Sequence, residues 1–581
     1  MVRIVGFALT IGLVASAGLV SPLSAQAAST PSPSAAVTGR GIAASKAPAA
    51  AGTAPTTVAP TAAPTSTPPT PQPTLVTTIT SDQASPSLSR AAAFTFRANQ
   101  AGARFRCRLL GPGHTSTAFT ACPTTGGTAS TTTGATSYSG LAPSPQKYTF
   151  AVRAVTPAVP AAGRADAYSW RVYSAFSPAH YSPPGGARFN NPLGRRAAQR
   201  HNLAHVIATI NSMPGYKQAT QGAPCPARTS LWPGRIRISL YSMTDRSFSA
   251  AARAANRRCI SVQILMNNHL SAVTDVAWRL LEQSLGTRVF RGAQPRRSFA
   301  HRCSFGCRGH GVLHTKMYLF DSTLPAPARG SNRITKTVMV GSSNITSNAS
   351  RVQWNDLYTL RGNGRVHADY LQMFNLMKTG RKSSRLVTFF EGLYSSVFWP
   401  QGSATDPYRR WLGAVRCTGA SGGAGIGGRT VVYVNMHAWF GTRGLGLARQ
   451  IRGMYNRGCY VRVLYSFMSF QVFTILHRRT GARMSVRRTA FSHNGQTAYV
   501  YSHLKNIDIS GHFGRDPSTW LVSTGSNNFT NGGTRFDEVA LRIRSRAAYN
   551  AYVRRFKFIS ARRSSPIYAN FSEPRGGGRA P

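Results

Sequence analysis

Residues 311–322 read GVLHTKMYLFDS. His314 and Lys316 stand two apart in an otherwise apolar, β-prone run, and Asp321 follows five residues after the lysine. In an extended strand, residues i and i+2 point the same way. The spacing predicts His314 and Lys316 on one face of a strand, with Leu313, Thr315 and Met317 on the other. A lysine beside an imidazole is costly in a core unless both meet an anion. The pair is therefore a candidate phosphate holder, although one such pair on its own equally suits a solvated edge strand.

A second copy changes the reading. Residues 501–511 read YSHLKNIDISG, with His503 and Lys505 at the same spacing. The first copy is followed by VMVGSSNITSN, with Gly341, Ser342 and Asn344, and the second by LVSTGSNNFTN, with Gly525, Ser526 and Asn528. Each tail then reaches an acid, Asp356 in WNDLYTL and Glu538 in FDEVALRI. The repeat extends upstream, where residues 235–265 and 429–465 both read strand, loop, small-residue helix, then a turn with Arg and Cys into another strand. Cys259 falls opposite Cys459, and Cys225 precedes its unit as Cys417 does, so one equivalent disulfide per unit is expected: Cys225–Cys259 and Cys417–Cys459.

These residues resemble the phospholipase D superfamily, whose signature is H-x-K-x4-D followed by G-S-x-N, present twice. The first copy matches in full, with His314, Lys316, Asp321, Gly341, Ser342 and Asn344. The second departs: Ser510 holds the Asp position and Asp508 lies two residues early. The resemblance covers roughly residues 190–571. It implies an α/β fold of two similar α/β/α halves, 190–385 and 386–571, with the active site between them. It also implies a phosphodiesterase working without metal or cofactor through a covalent phosphohistidine. By that resemblance His314 is the nucleophile and His503 the general acid and base, with the reverse assignment left open by the near-symmetry. Lys316, Lys505, Asn344 and Asn528 would hold the non-bridging oxygens, and Asp321 would support. Asp356 and Glu538 are the candidates to fix the imidazole tautomers; which acid serves which histidine stays open.

The chain carries 69 Lys and Arg against 15 Asp and Glu, a formal charge of +54, of which +44 falls after residue 173. Such a field attracts polyanions: nucleic acid, anionic lipid surfaces or cell-wall phosphate polymers. A GC-rich genome would also give abundant Arg, Ala, Gly and Pro. Four of the few acids after residue 173 fall in the motif blocks: Asp321, Asp356, Asp537 and Glu538. Asp537 is equally readable as a surface acid balancing nearby arginines.

Residues 1–27 read as a secretory signal, with Arg3, an apolar run and Ala25-Gln26-Ala27; a retained anchor is the alternative. No later stretch has about 18 unbroken apolar residues, so no further span is expected. Residues 28–74 are a Pro/Ala/Thr/Ser linker that cannot bury a core, and 572–581 a disordered tail. Residues 75–173 alternate short β-type runs with turns and predict a small all-β sandwich. The runs FRCRL, FTAC, YSGL and YTFAVRAV resemble bacterial immunoglobulin-like repeats, which implies a Cys107–Cys122 pair and a spacer or wall-binding role. In HRCSFGCRGH (301–310) a Cys303–Cys307 loop is expected in an exported chain, with zinc as the alternative. The run YSFMSFQVFTILHRR (465–479) is expected to be a core-packed helix rather than a lipid-dipping one. The expectation is a secreted monomeric hydrolase of phospholipid headgroups, with peripheral contact to anionic membrane or wall. Nucleic acid is the alternative substrate, and a non-catalytic polyanion binder the third reading.

Overall fold

In the computed structural model the described residues run from 74 to 562, leaving out 83–86, 88, 124–131, 145, 158–162, 173, 176–178, 218–224, 226–231, 270–274, 290–296, 324–333, 479 and 493–498. The expected signal, the linker up to residue 73 and the tail lie outside them.

The segment MYLF shows how the catalytic part is layered. Met317 and Leu319 face one buried cluster, while Tyr318 and Phe320 face another. Their strand, Met317–Thr323, is central in a seven-stranded sheet, so both faces are covered. One face packs on the amphipathic helix Arg246–Arg257, which buries Phe248, Ala251, Ala252 and Ala255 and is capped by Asp245 accepting from Phe248 N. The other face packs on residues of a second large sheet, Val522, Val539, Leu541 and Ile543. Fully burying such side chains contributes roughly 1.5–3 kcal/mol each.

The two sheets share one strand order. In the first, Phe299–Cys303, Ile260–Asn267, Gly234–Leu240, Met317–Thr323, Ile334–Gly341, Asp356–Leu360 and Gly186–Phe189 lie side by side. In the second, Met484–Arg488, Tyr460–Met468, Val431–Trp439, Lys505–Phe513, Asp516–Gly525, Val539–Arg544 and Tyr394–Phe398 follow the same sequence, with Val387–Glu391 added at the edge. In each sheet the first two neighbouring pairs are parallel and the rest antiparallel. The Cys225–Cys259 and Cys417–Cys459 disulfides take equivalent places. Ahead of the sheets, a three-stranded and a four-stranded sheet share a core of Phe94, Phe96, Phe150 and Trp170 with the Cys107–Cys122 disulfide.

Two expectations are corrected here. His314 and Lys316 do not run through a strand, because the Met317–Thr323 strand begins just after them. His503 likewise sits in the gap between Tyr499–Ser502 and Lys505–Phe513. The cause is backbone pairing with distant segments: His314 N–H donates to Asp537 O at 2.9 Å, and His503 N–H to Trp354 O, in the short strand Gln353–Trp354, at 2.9 Å. The described part of the run 465–479 divides between the strand Tyr460–Met468 and the helix Phe470–His477, which buries Val472 and Leu476 but leaves Phe470 60% exposed. Among the described residues no helix is long and apolar enough to cross a membrane.

Candidate active site

Each motif histidine leaves its own sheet and is held by the other. His314 Nδ1 lies 2.8 and 2.9 Å from the two carboxylate oxygens of Glu538. Glu538 in turn accepts from the Ser526 hydroxyl, and Ser526 Oγ accepts from Val539 N at 3.0 Å. On the opposite side His503 Nδ1 lies 2.8 Å from Asn355 Oδ1 and 3.0 Å from Ser342 O. Asn355 Oδ1 accepts from Ser342 Oγ at 3.0 Å, and Ser342 Oγ accepts from Asp356 N at 3.1 Å. Ser342 thus matches Ser526, and Asn355 stands where Glu538 stands.

Asp356 is therefore not the partner of a histidine. Its carboxylate accepts from Ser342 N at 3.0 Å, from Tyr552 OH at 2.6 Å and from the Thr524 hydroxyl. It is a buried tie between elements, displaced by one residue from the position the tail spacing suggested. Asp321 also stays away from the His314 and His503 imidazoles. It pairs with Arg235 Nε at 2.5 Å on the neighbouring strand, with Lys336 and His367 farther off. Ser510 accepts from Gly425 N at 2.9 Å, so the second sheet replaces that ion pair with a neutral bond.

Both lysines are fully buried and aligned alike: Lys316 Nζ donates to His314 O at 2.6 Å, and Lys505 Nζ to His503 O at 2.6 Å. Asn344 and Asn528 end the two Gly-Ser-x-Asn turns half-buried, each with an Oδ1 that has no hydrogen-bond partner among the described residues.

Burial sets the electrostatics. It pulls His314 down to about 4, against Glu538, and Lys316 down to about 7. His503 falls well below its usual value through burial and then the charge of Lys505, and Lys505 falls through burial and the charge of Lys316. Glu538 moves the other way: burial pushes it up, yet His314, Lys316 and Ser526 outweigh burial and hold it below the ordinary carboxylate range. The result is two neutral imidazoles and one ionised glutamate beside two desolvated lysines, whose charged forms an anion in the site would favour.

Several neighbours escaped the sequence reading. Tyr241 lies edge-on to His314 with ring centroids 5.4 Å apart, and His437 edge-on to His503 at 4.5 Å. They occupy matching places, Tyr241 just after the strand Gly234–Leu240 and His437 near the end of Val431–Trp439, a signal the aligned runs ISLYSMTD and VNMHAWF already carried. Tyr501 stacks on His437 at 5.3 Å. Cys303 and Cys307 are bonded to each other, so they are not zinc ligands, and the four expected cysteine pairs are the four disulfides present.

Residues 233–378 match the family model described as cardiolipin synthase, PLD-like domain. The chain carries a phospholipase D-like domain. Among solved structures, polyphosphate kinase from Porphyromonas gingivalis aligns at 12% identity over 58% of this chain, with a TM-score of 0.36. That match spans 45% of the kinase chain, less than half its length. NucT from Helicobacter pylori aligns at 16% identity over 34% of this chain and 98% of its own, with a TM-score of 0.22. Nuc from Salmonella typhimurium, a phospholipase D family member, aligns at 15% identity over 33% and 93%, with a TM-score of 0.22. No curated protein matches the chain. The matched residues of the phospholipase D-like domain include His314, Lys316 and Asn344, whereas His503, Lys505, Asn528 and Glu538 lie beyond them.

Proposed function

We propose that this protein is a secreted phosphodiesterase that hydrolyses phospholipid headgroup esters through a phosphohistidine on His314. In this reading the two large sheets are the halves of one phospholipase D-like unit, and residues 75–173 are an immunoglobulin-like spacer or wall-binding module. The observation that carries the reading is the His314–Glu538 contact opposite His503, with a buried lysine beside each imidazole.

The chemistry follows from those groups. Glu538 keeps the proton on Nδ1 of His314, leaving Nε2 with a lone pair. Nε2 attacks phosphorus, a P–N bond forms, and the P–O bond to the leaving alcohol breaks. His503, protonated in the substrate complex, gives its proton to the leaving oxygen. Water then attacks phosphorus while His503 takes its proton. The P–N bond breaks and His314 is restored, with a phosphomonoester released. Lys316, Lys505, Asn344 and Asn528 stabilise the charge on the non-bridging oxygens. The substrate's negative charge offsets the two lysines and so favours the proton on His503.

Two observations favour a lipid substrate: the description of the matched family, and two exposed aromatics, Phe305 in the Cys303–Cys307 loop at 80% and Phe470 at the start of the helix Phe470–His477 at 60% exposure. A second reading, cleavage of DNA or RNA by the same groups, is favoured by the +44 charge after residue 173. Purified protein with EDTA, given phospholipid vesicles and plasmid DNA in parallel, decides between them. Headgroup release lost in both His314→Ala and His503→Ala supports the lipid reading. DNA cleavage lost in both, falling steeply with salt and with lipid untouched, moves the site to nucleic acid. Cleavage of neither by the wild type overturns both readings.

A further inference from the structure

We infer that Asp537 is the positioning residue that sets Glu538 against His314, and that the Cys303–Cys307 loop exists to seat it. This rests on the phosphodiesterase reading above. Asp537 precedes Glu538 and is 1% exposed, so it is not a surface acid. Its Oδ2 accepts from Cys307 N at 2.7 Å and Arg308 N at 3.1 Å, and its Oδ1 from Gly309 N at 2.7 Å. Three successive backbone N–H groups thus form a concave anion seat, here filled by a carboxylate from 228–230 residues away.

The seat needs the sequence CSFGCRG. The disulfide closes a five-residue ring, and Phe305 and Gly306 both adopt left-handed backbone, with φ of 55° and 78°. A Cβ on Gly306 would come within 3.0 Å of Asp537 Oδ2, and one on Gly309 within 2.7 Å of Arg535 O, so the two glycines permit the close approach. The outward carbonyls of the ring are tied as well. Lys382 Nζ donates to Phe305 O at 2.8 Å and Gly306 O at 2.6 Å. The buried Arg308 side chain anchors the far side on Trp399 O at 3.3 Å and on Arg385 O.

The backbone of Asp537 is pinned to the nucleophile segment itself. Asp537 N donates to Val312 O at 3.0 Å, and His314 N to Asp537 O at 2.9 Å. Side chain and backbone together leave Glu538 little freedom except to face His314. The other histidine has no such device: Trp354 stands at the matching place, accepting from His503 N, with the neutral Asn355 next to it. The seat therefore serves the charged His–Glu pair.

The test compares wild type, Asp537→Asn and Cys303→Ser/Cys307→Ser. An Asn amide cannot accept on its NH2 side, and the serine pair opens the ring while leaving the other three disulfides intact. We expect kcat to fall about 100-fold, as for a misplaced reacting group, with KM within about twofold. We also expect the His314 titration midpoint, followed by NMR and assigned through His314→Gln, to move to lower pH. His314 faces Glu538, Lys316, Lys505 and the Tyr241 ring, and among these only Glu538 supports its proton. Folded variants with the wild-type midpoint and kcat overturn the proposal. If Asp537→Asn does not fold, the serine variant decides by the same readings. If the wild type cleaves no phosphodiester, the phosphodiesterase reading fails, and the midpoint shift still decides whether Asp537 sets the pair.

Discussion

Asn355 Oδ1 lies 2.8 Å from His503 Nδ1, in the place where Glu538 meets His314 on the other side of the site. One imidazole therefore has a carboxylate behind it and the other an amide. An amide orients a ring as well as a carboxylate does, but it does not stabilise the ring's positive charge. This difference sets the two histidines apart, and in the proposed mechanism it favours His314 as the nucleophile.

Asn355→Asp is expected to give His503 an opposite charge and raise its pKa by about one unit or more. The alkaline limb of the kcat profile then moves to higher pH, because the general acid keeps its proton longer. An unmoved limb in an active variant would show that His503 is not the group being titrated.

Glu538→Gln keeps the shape but removes the charge behind His314. It is expected to lower kcat about 100-fold or more, within the range for loss of a positioned acid–base group. Rapid-quench detection of labelled protein should show correspondingly slower formation of the phosphohistidine. Activity within tenfold of wild type would sink the role assigned to the pair.

The pH dependence of kcat/KM reports the free enzyme. His314 attacks only when neutral, so its value of about 4 predicts loss of activity as pH falls through that region. Lys316 holds phosphate only when charged, so its value of about 7 predicts loss as pH rises through that one. Steady-state profiles with a soluble phosphodiester check both limbs, and a profile still climbing from pH 7 to 9 contradicts the lysine assignment.

Among the described residues, Asp508 is buried with no partner on Oδ1, and Asn506 Nδ2 donates to its Oδ2 at 2.8 Å. Burial pushes its pKa well above the ordinary value, and the nearby Asp356 adds to this. A carboxyl whose folded pKa exceeds its unfolded value of about 3.9 favours the folded state below that pH. That contribution is lost as pH rises toward the folded pKa. Asp508→Asn should therefore raise the melting temperature by several degrees at pH 7.5 and by much less at pH 4. Equal shifts at both pH values would contradict the titration account.

The paired His-x-Lys and Gly-Ser-x-Asn blocks were legible because they repeat at fixed spacing, and the Cys225–Cys259 and Cys417–Cys459 pairs because they recur within the repeat. Asn355 was not legible: it lies thirteen residues after Ser342, whereas Glu538 lies twelve after Ser526. A search for acids then stopped one residue late, at Asp356. The strand assignment failed at the histidines because their backbone partners, Asp537 and Trp354, come from segments far away in the sequence. The Asp537 seat was hidden for the same reason, since its donors and its acceptor are 228–230 residues apart. Local patterns announce which residues repeat. They do not reveal which copy each residue serves.

Because each histidine is gripped by the opposite sheet, neither sheet owns a complete site. Two identical subunits meeting in the same way would be obliged to place one residue type behind both imidazoles, as symmetry allows no other choice. Joining the sheets in one chain lifts that obligation, and Glu538 on one side with Asn355 on the other is the divergence it permits. A mutation at either position alters half of the chemistry and spares the rest, so the two roles are separately open to selection.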